Sequence, residues 1–165
     1  MGSQLKTNFQ SKADALESFL NAMKTLRDEG ILINKKDFTC QIGEWLVAML
    51  YDGKRATSGI QKAWDVYVMG THIQVKAHAK AETNSAKFSA VDKDSTERID
   101  ELVIVVFTFD YKLKAFYKVP WVDALPHIKL RGKKIPRNEI NWSSIKNFKI
   151  EKENLPNQEI VSLFK

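Results

Sequence analysis

Residues 64–80 read WDVYVMGTHIQVKAHAK, and the way this stretch folds decides how the rest of the chain is read. Asp65 opens a short apolar run, Met69 and Gly70 interrupt it, and a second run carries Gln74 and Lys76. Successive side chains on a strand alternate between its faces. A hairpin with a two-residue turn at Met69 and Gly70 pairs residue 68 with 71, 67 with 72 and 66 with 73. Asp65 then falls opposite Gln74, with Cβ atoms about 5 Å apart, and Lys76 follows on the same face. The opposite face carries Trp64, Val66, Val68, Ile73, Val75 and Ala77. One face is therefore expected to be buried. The other is expected to gather a carboxylate, an amide oxygen and an ammonium.

Upstream, residues 38–51 read as a helix, with Asp37 as its N-cap and Gly53 just past its end. It is apolar nearly all round, which marks a helix buried on most of its surface. Glu44 sits in its middle, beside Gly43. A buried carboxylate without a partner is costly, so it takes up a proton or finds a cation. Residues 54–63, KRATSGIQKA, join helix to hairpin. Lys54, Arg55 and Lys62 are candidates for phosphate contact there, and Ser58 and Gln61 for hydrogen bonds near the site. For each of them a solvated loop is the plainer reading.

Beyond the hairpin, residues 79–100 are polar and include Lys80. A short strand is expected over 88–91, and Ser95-Thr96-Glu97-Arg98 reads as a helix start. Residues 102–109, LVIVVFTF, are apolar without alternation, the pattern of a central strand covered on both faces. A turn at 110–112, a strand over 113–119 and a short helix over 120–128 follow. The run KLRGKKIPR then supplies Lys129, Arg131, Lys133, Lys134 and Arg137, which suits phosphate binding or a solubilising loop equally. Residues 142–150 fit either a strand or a short helix, and 156–164 a short docking helix. At the front, residues 8–30 form an amphipathic packing helix stopped by Gly30. No repeat or linker divides the chain, so residues 1–165 are expected to form one α/β domain.

Composition narrows the function. The net charge is +6 and the pI about 9.3, which favours a polyanionic partner. Cys40 is the only cysteine, which excludes an internal disulfide and a cysteine zinc cluster and fits a reducing cytoplasm. No apolar run approaches the ~20 residues of a membrane span, and the first residues are too polar for a secretory signal. A nucleophile elbow and a phosphate-cradling glycine loop are both absent. His72 and His78 lie about 20 Å apart along a strand, too far to share a metal. If Glu44, Asp65 and Gln74 converge, their oxygens suit Mg²⁺, with Mn²⁺ as a substitute. Lys76 on the same face would orient a water or neutralise a phosphate.

Asp65, then Gln74-Val75-Lys76 on the adjoining strand, with Glu44 in the preceding helix, resembles the PD-(D/E)xK nuclease superfamily in a QxK form. GEWLVAML, SGIQKAWD and IQVK resemble a bacterial and phage branch of it. The resemblance covers about residues 37–119. It implies a restriction-endonuclease-like core: a mixed central β-sheet flanked by helices. It also implies a metal-dependent DNA endonuclease of restriction or repair type, cytoplasmic and encoded by a bacterium or phage. Asp65, Glu44 and Gln74 would hold the metal, and Lys76 would be the catalytic lysine. Two departures stand out: Trp64 replaces the proline of the pattern, and Gln74 replaces an acid. Lys54, Arg55, Ser58, Gln61, Lys62, Lys80, Lys133 and Lys134 are the expected DNA contacts, and duplex cleavage suggests a homodimer. The alternatives are a DNA-binding module that has lost catalysis through the glutamine, or an interaction subunit of a defence complex.

Overall fold

The computed structural model of the chain describes residues 2–57, 63–79 and 87–165. Ser58, Gln61, Lys62 and Lys80 lie outside them. The chain forms two compact units, residues 1–33 and 34–165. The first is built on α1 (Gly2–Asp28). This helix ends as expected at Gly30, whose φ of +70° suits glycine, and the Ile31 amide returns to the Leu26 carbonyl.

The second unit is mixed α/β. It opens with α2 (Phe38–Leu50), which Asp37 caps by accepting from the Thr39 and Cys40 amides. The strands follow: β1 (Lys54–Arg55), β2 (Val66–Val68), β3 (Thr71–His78), β4 (Phe88–Ala90), β5 (Glu101–Phe107) and β6 (Leu113–Pro120). Next come α3 (Trp121–Ala124), β7 (Ile128–Arg131), β8 (Arg137–Asn141), β9 (Lys149–Ile150) and α4 (Gln158–Ser162). Six strands form the central sheet in the order β1-β2-β3-β5-β6-β9, and β4-β8-β7 form a second sheet. Within the central sheet β3 and β5 run parallel and the other pairs antiparallel.

The hairpin forms in the expected register, Val68 with Thr71, Tyr67 with His72 and Val66 with Ile73. Met69 and Gly70 both have positive φ, +45° and +94°, the signature of a type I′ turn. β5 is the central strand: Leu102 through Phe107 are all buried. Its two faces meet different layers. Leu102, Ile104 and Val106 pack with Ile128, Ile140, Trp142 and Ile145 of the second-sheet side. On the other face α2 comes so close that a Cβ on Gly43 would overlap that of Ala77 and touch Val75. Parallel partners share a face, and Gln74, Lys76 and His78 pair with Leu102, Ile104 and Val106. Gln74 and Lys76 therefore face the second sheet, while Val75 and Ala77 face α2.

Two local readings change. Ser95-Thr96-Glu97-Arg98 starts no helix. The Ser95 hydroxyl accepts the Glu97 amide, closing a serine turn that diverts the backbone, and the Glu97 carboxylate accepts the Ala63 amide. The basic run is partly strand: Lys129–Arg131 lie in β7 and Arg137 opens β8, while residues 132–136, with Lys133 and Lys134, form the loop between them, entered through Gly132 at φ +102°.

Candidate functional site

The site begins with Lys36, in the loop ahead of α2. Its Nζ donates to Glu44 Oε1 at 2.8 Å and to Asp65 Oδ1 at 2.7 Å. The loop is held from beneath by Gln41, a buried residue one turn into α2. Gln41 Oε1 accepts the Asn34 amide, and its Nε2 donates to the Asn34 and Lys36 carbonyls. α2 thus builds both ends of one contact: it carries Glu44 and clamps the segment bearing Lys36.

Asp65 arrives from the other direction. β2 begins one residue later, and the Asp65 amide donates to the Ile73 carbonyl. Its Oδ2 accepts the Val75 amide at 2.8 Å. That amide is a ladder donor of β3, so the carboxylate fills the place of a strand neighbour where β2 has ended. Oδ1 is left to face Lys36 and Glu44. The expected juxtaposition of Glu44 with Asp65 is therefore present, with a lysine bridging the two acids.

Gln74 and Lys76 lead elsewhere. The fully buried Gln74 amide donates to the Ala63 carbonyl at 2.8 Å and accepts the Asp92 amide at 3.2 Å. Lys76 Nζ reaches Asp92 Oδ2 at 3.4 Å. Both point toward the second sheet, where Lys76, Asp92, Lys93, Ser95 and Arg137 line part of a cleft of about 560 Å³. Of the four side chains expected to meet, the fold brings two to a shared cation and turns two to the opposite face of β3. Beyond Lys76 on that face, His78 Nε2 pairs with Ser89 Oγ at 2.7 Å, and Trp142 Nε1 donates to the same oxygen.

Arg55 is corrected as a phosphate contact. Its side chain is 8% exposed, and Nη2 lies 3.6 Å from Glu44 Oε2. It joins the carboxylates instead of facing solvent. Lys54, Lys133 and Lys134 are exposed.

The electrostatics follow from burial. Burial raises the Glu44 carboxyl above its ordinary range, and the charge of Asp65 adds to this against the opposing pull of Lys36 and Arg55. Burial alone would lower Lys36, but hydrogen bonds and charge from Asp65 and Glu44 outweigh it and raise the ammonium's pKa. Two carboxylates, an ammonium and a guanidinium balance in formal charge. Cys40, one turn before Glu44, is pushed up by burial and by Asp37, and stays a thiol.

The donor set fits a hard divalent cation. Oε1 of Glu44 and Oδ1 of Asp65 already converge on one positive atom, and Mg²⁺ accepts two carboxylates with water in its remaining positions. Among the described residues no group of three or more His, Cys, Asp or Glu side chains is placed to hold a metal.

Sequence reasoning missed Lys36. The signal was the NKKD segment before the Asp37 cap, but Lys36 and Glu44 are eight residues apart, outside the usual helical pairing distance. No helix among the described residues is long and apolar enough to cross a membrane. No protein-family model matches the chain, and no curated protein matches it in sequence.

Proposed function

We propose that the chain hydrolyses DNA phosphodiester bonds using a divalent ion, Mg²⁺ or Mn²⁺, held by Glu44 and Asp65. The observation that supports this most is the pair of carboxylates, from a helix and a strand end, bonded to a single cation. A bound ion of this kind lowers the pKa of a coordinated water and takes up charge on a phosphoryl oxygen. The chain's own groups do the rest. The Val75 amide fixes the rotation of the Asp65 carboxylate, so Oδ1 stays turned toward Glu44. Lys76 faces the second-sheet cleft and not the two carboxylates; among the described residues its ammonium has a long contact to the exposed Asp92, so it can turn to a backbone phosphate in that cleft at little cost, away from the ion. Gln74 braces the backbone on both sides of the hairpin and positions Asp92. Lys129, Arg131, Lys133, Lys134 and Arg137, all exposed on the β7–β8 ribbon, suit contacts to the DNA backbone. The restriction or repair type, the bacterial or phage origin and a homodimer cutting both strands belong to this same reading.

A second reading, a DNA-binding module without catalysis, has its own support. The Gln74 oxygen is engaged by a backbone amide, and Lys36 neutralises the carboxylates. Cleavage of duplex, single-stranded and branched DNA with Mg²⁺ or Mn²⁺ separates the two. For the nuclease, Asp65→Asn and Glu44→Gln lower the rate about 100-fold or more, the scale of losing a group that stabilises transition-state charge. Salt-sensitive binding with no cutting by the wild type would establish the module instead.

A further inference from the structure

The Lys36 ammonium occupies the point where the two carboxylates converge. It is bonded to both at 2.7 and 2.8 Å, and its backbone is pinned by Gln41. An ammonium and a divalent ion cannot hold these oxygens together, because both would fill the same space with like charge. We propose that Lys36 is a tethered counter-ion for the Glu44–Asp65 pair, and that a divalent metal ion binds there only by displacing it. The proposal rests on the reading of Glu44 and Asp65 as a metal site.

Three features carry it. The first is geometry: of the ammonium's contacts, the two shortest go to the same two oxygens that a metal would use. The second is access. The Lys36 side chain is 26% exposed, whereas Glu44 is 3% and Asp65 11%. Lys36 therefore stands on the solvent side of the pair and can swing outward on its four-carbon stem without moving α2 or the hairpin. The third is charge. Without Lys36 the two buried acids face each other with, among the described residues, Arg55 as the nearby cation, which favours uptake of another cation. With Lys36 in place the pair of acids is matched by Lys36 and Arg55, and metal uptake is an exchange of one cation for another. Lys36 stays protonated when it leaves for water, so the exchange releases no proton.

The test is calorimetric titration of Mn²⁺ into the full chain and its Lys36→Gln variant, with Lys36→Arg as a charge-preserving control. Removal of the competing cation is expected to tighten Mn²⁺ binding at least about tenfold, a usual size for coupling between two ligands. Lys36→Arg is expected to bind no more tightly than the wild type. Mn²⁺ is also expected to raise the melting temperature of Lys36→Gln more than that of the wild type. Equal or weaker Mn²⁺ binding by Lys36→Gln overturns the counter-ion role and leaves the metal site standing. Failure of both chains to bind Mn²⁺ at millimolar concentration overturns the role and the metal site together. If Lys36→Gln does not fold, the wild type decides. With lysines ¹³C-methylated, which keeps their charge, the Lys36 resonance should move toward those of exposed lysines as Mg²⁺ is added. A Lys36 resonance that stays put while Mg²⁺ shifts the Val75 amide overturns the proposal.

Discussion

Met69 shows how a single residue can be at odds with its conformation. It is the first central residue of a type I′ turn, with φ +45°, and it is 96% exposed. A left-handed backbone costs a side chain with a Cβ about 1–2 kcal/mol, and Met69 recovers none of that by burial. Asparagine tolerates this region, and Asn-Gly is the favoured pair for such turns. Met69→Asn is expected to stabilise the chain by about 0.5–1 kcal/mol, read as a rise of a few degrees in thermal melting. An unchanged or lower melting temperature would mean that Met69 contributes something the hairpin does not reveal. The same residues show what was legible. The Met69–Gly70 break identified the turn and so the register, because a two-residue loop permits only one pairing. The register did not reveal where the side chains lead. Asp65 turns into the sheet plane to take an amide, and Gln74 bonds to backbone on both sides. Both choices depend on where neighbouring strands end, which no local pattern encodes.

Among the elements, α2 and β3 set the site between them. α2 packs across Val75 and Ala77 at glycine distance, and Glu44 is the next residue along. Close approach at Gly43 is what lets Glu44 share Lys36 with the Asp65 carboxylate just ahead of β2. Gly43→Ala is expected to destabilise the protein by about 1–2 kcal/mol: overpacking costs about 1–3 kcal/mol, and the better helix propensity of alanine returns up to about 1 kcal/mol. The cost should be coupled to Ala77. In a denaturation cycle, Gly43→Ala with Ala77→Gly is expected to cost less than the sum of the two single changes. Strict additivity would remove the close contact as the reason for the glycine. α2, β3, β5 and β6 were readable from their apolar patterns over 13, 8, 7 and 8 residues, and the short β2 from the Met69–Gly70 turn that pairs it with β3; Asp37 and Gly53 mark the ends of α2. The β7–β8 ribbon was not. Its outward residues are charged or exposed, including Leu130 and Ile135, and only Ile128 and Ile140 are buried. Two buried positions among so many solvated ones leave no alternation to detect.

At the scale of the whole molecule, the positive balance has a definite place to act. The ribbon sets Arg131 directly across from Arg137, and like charges in that position weaken a strand pair. Part of the strain is absorbed by Arg131 lying over the Phe88 ring at 4.0 Å. Lys129, Lys133 and Lys134 add three further exposed cations to the same ribbon. Such a concentration opposes folding and is relieved when a polyanion neutralises it, which is the physical argument for the proposed DNA partner. Changing Arg131, Lys133 and Lys134 together to serine is expected to weaken duplex binding uniformly across sequences. It should also make the slope of log K against log salt shallower by about 2–3, since each lost phosphate contact removes about 0.9. Changing exposed Lys112, Lys114 and Lys146 to serine removes the same charge elsewhere and should leave the slope near that of the wild type. If both triple variants flatten the slope equally, net charge alone draws the DNA and the ribbon has no privileged role. If only the ribbon variant does so, the phosphate contacts lie there, on the β4–β8–β7 side onto which Lys76 and its cleft also open.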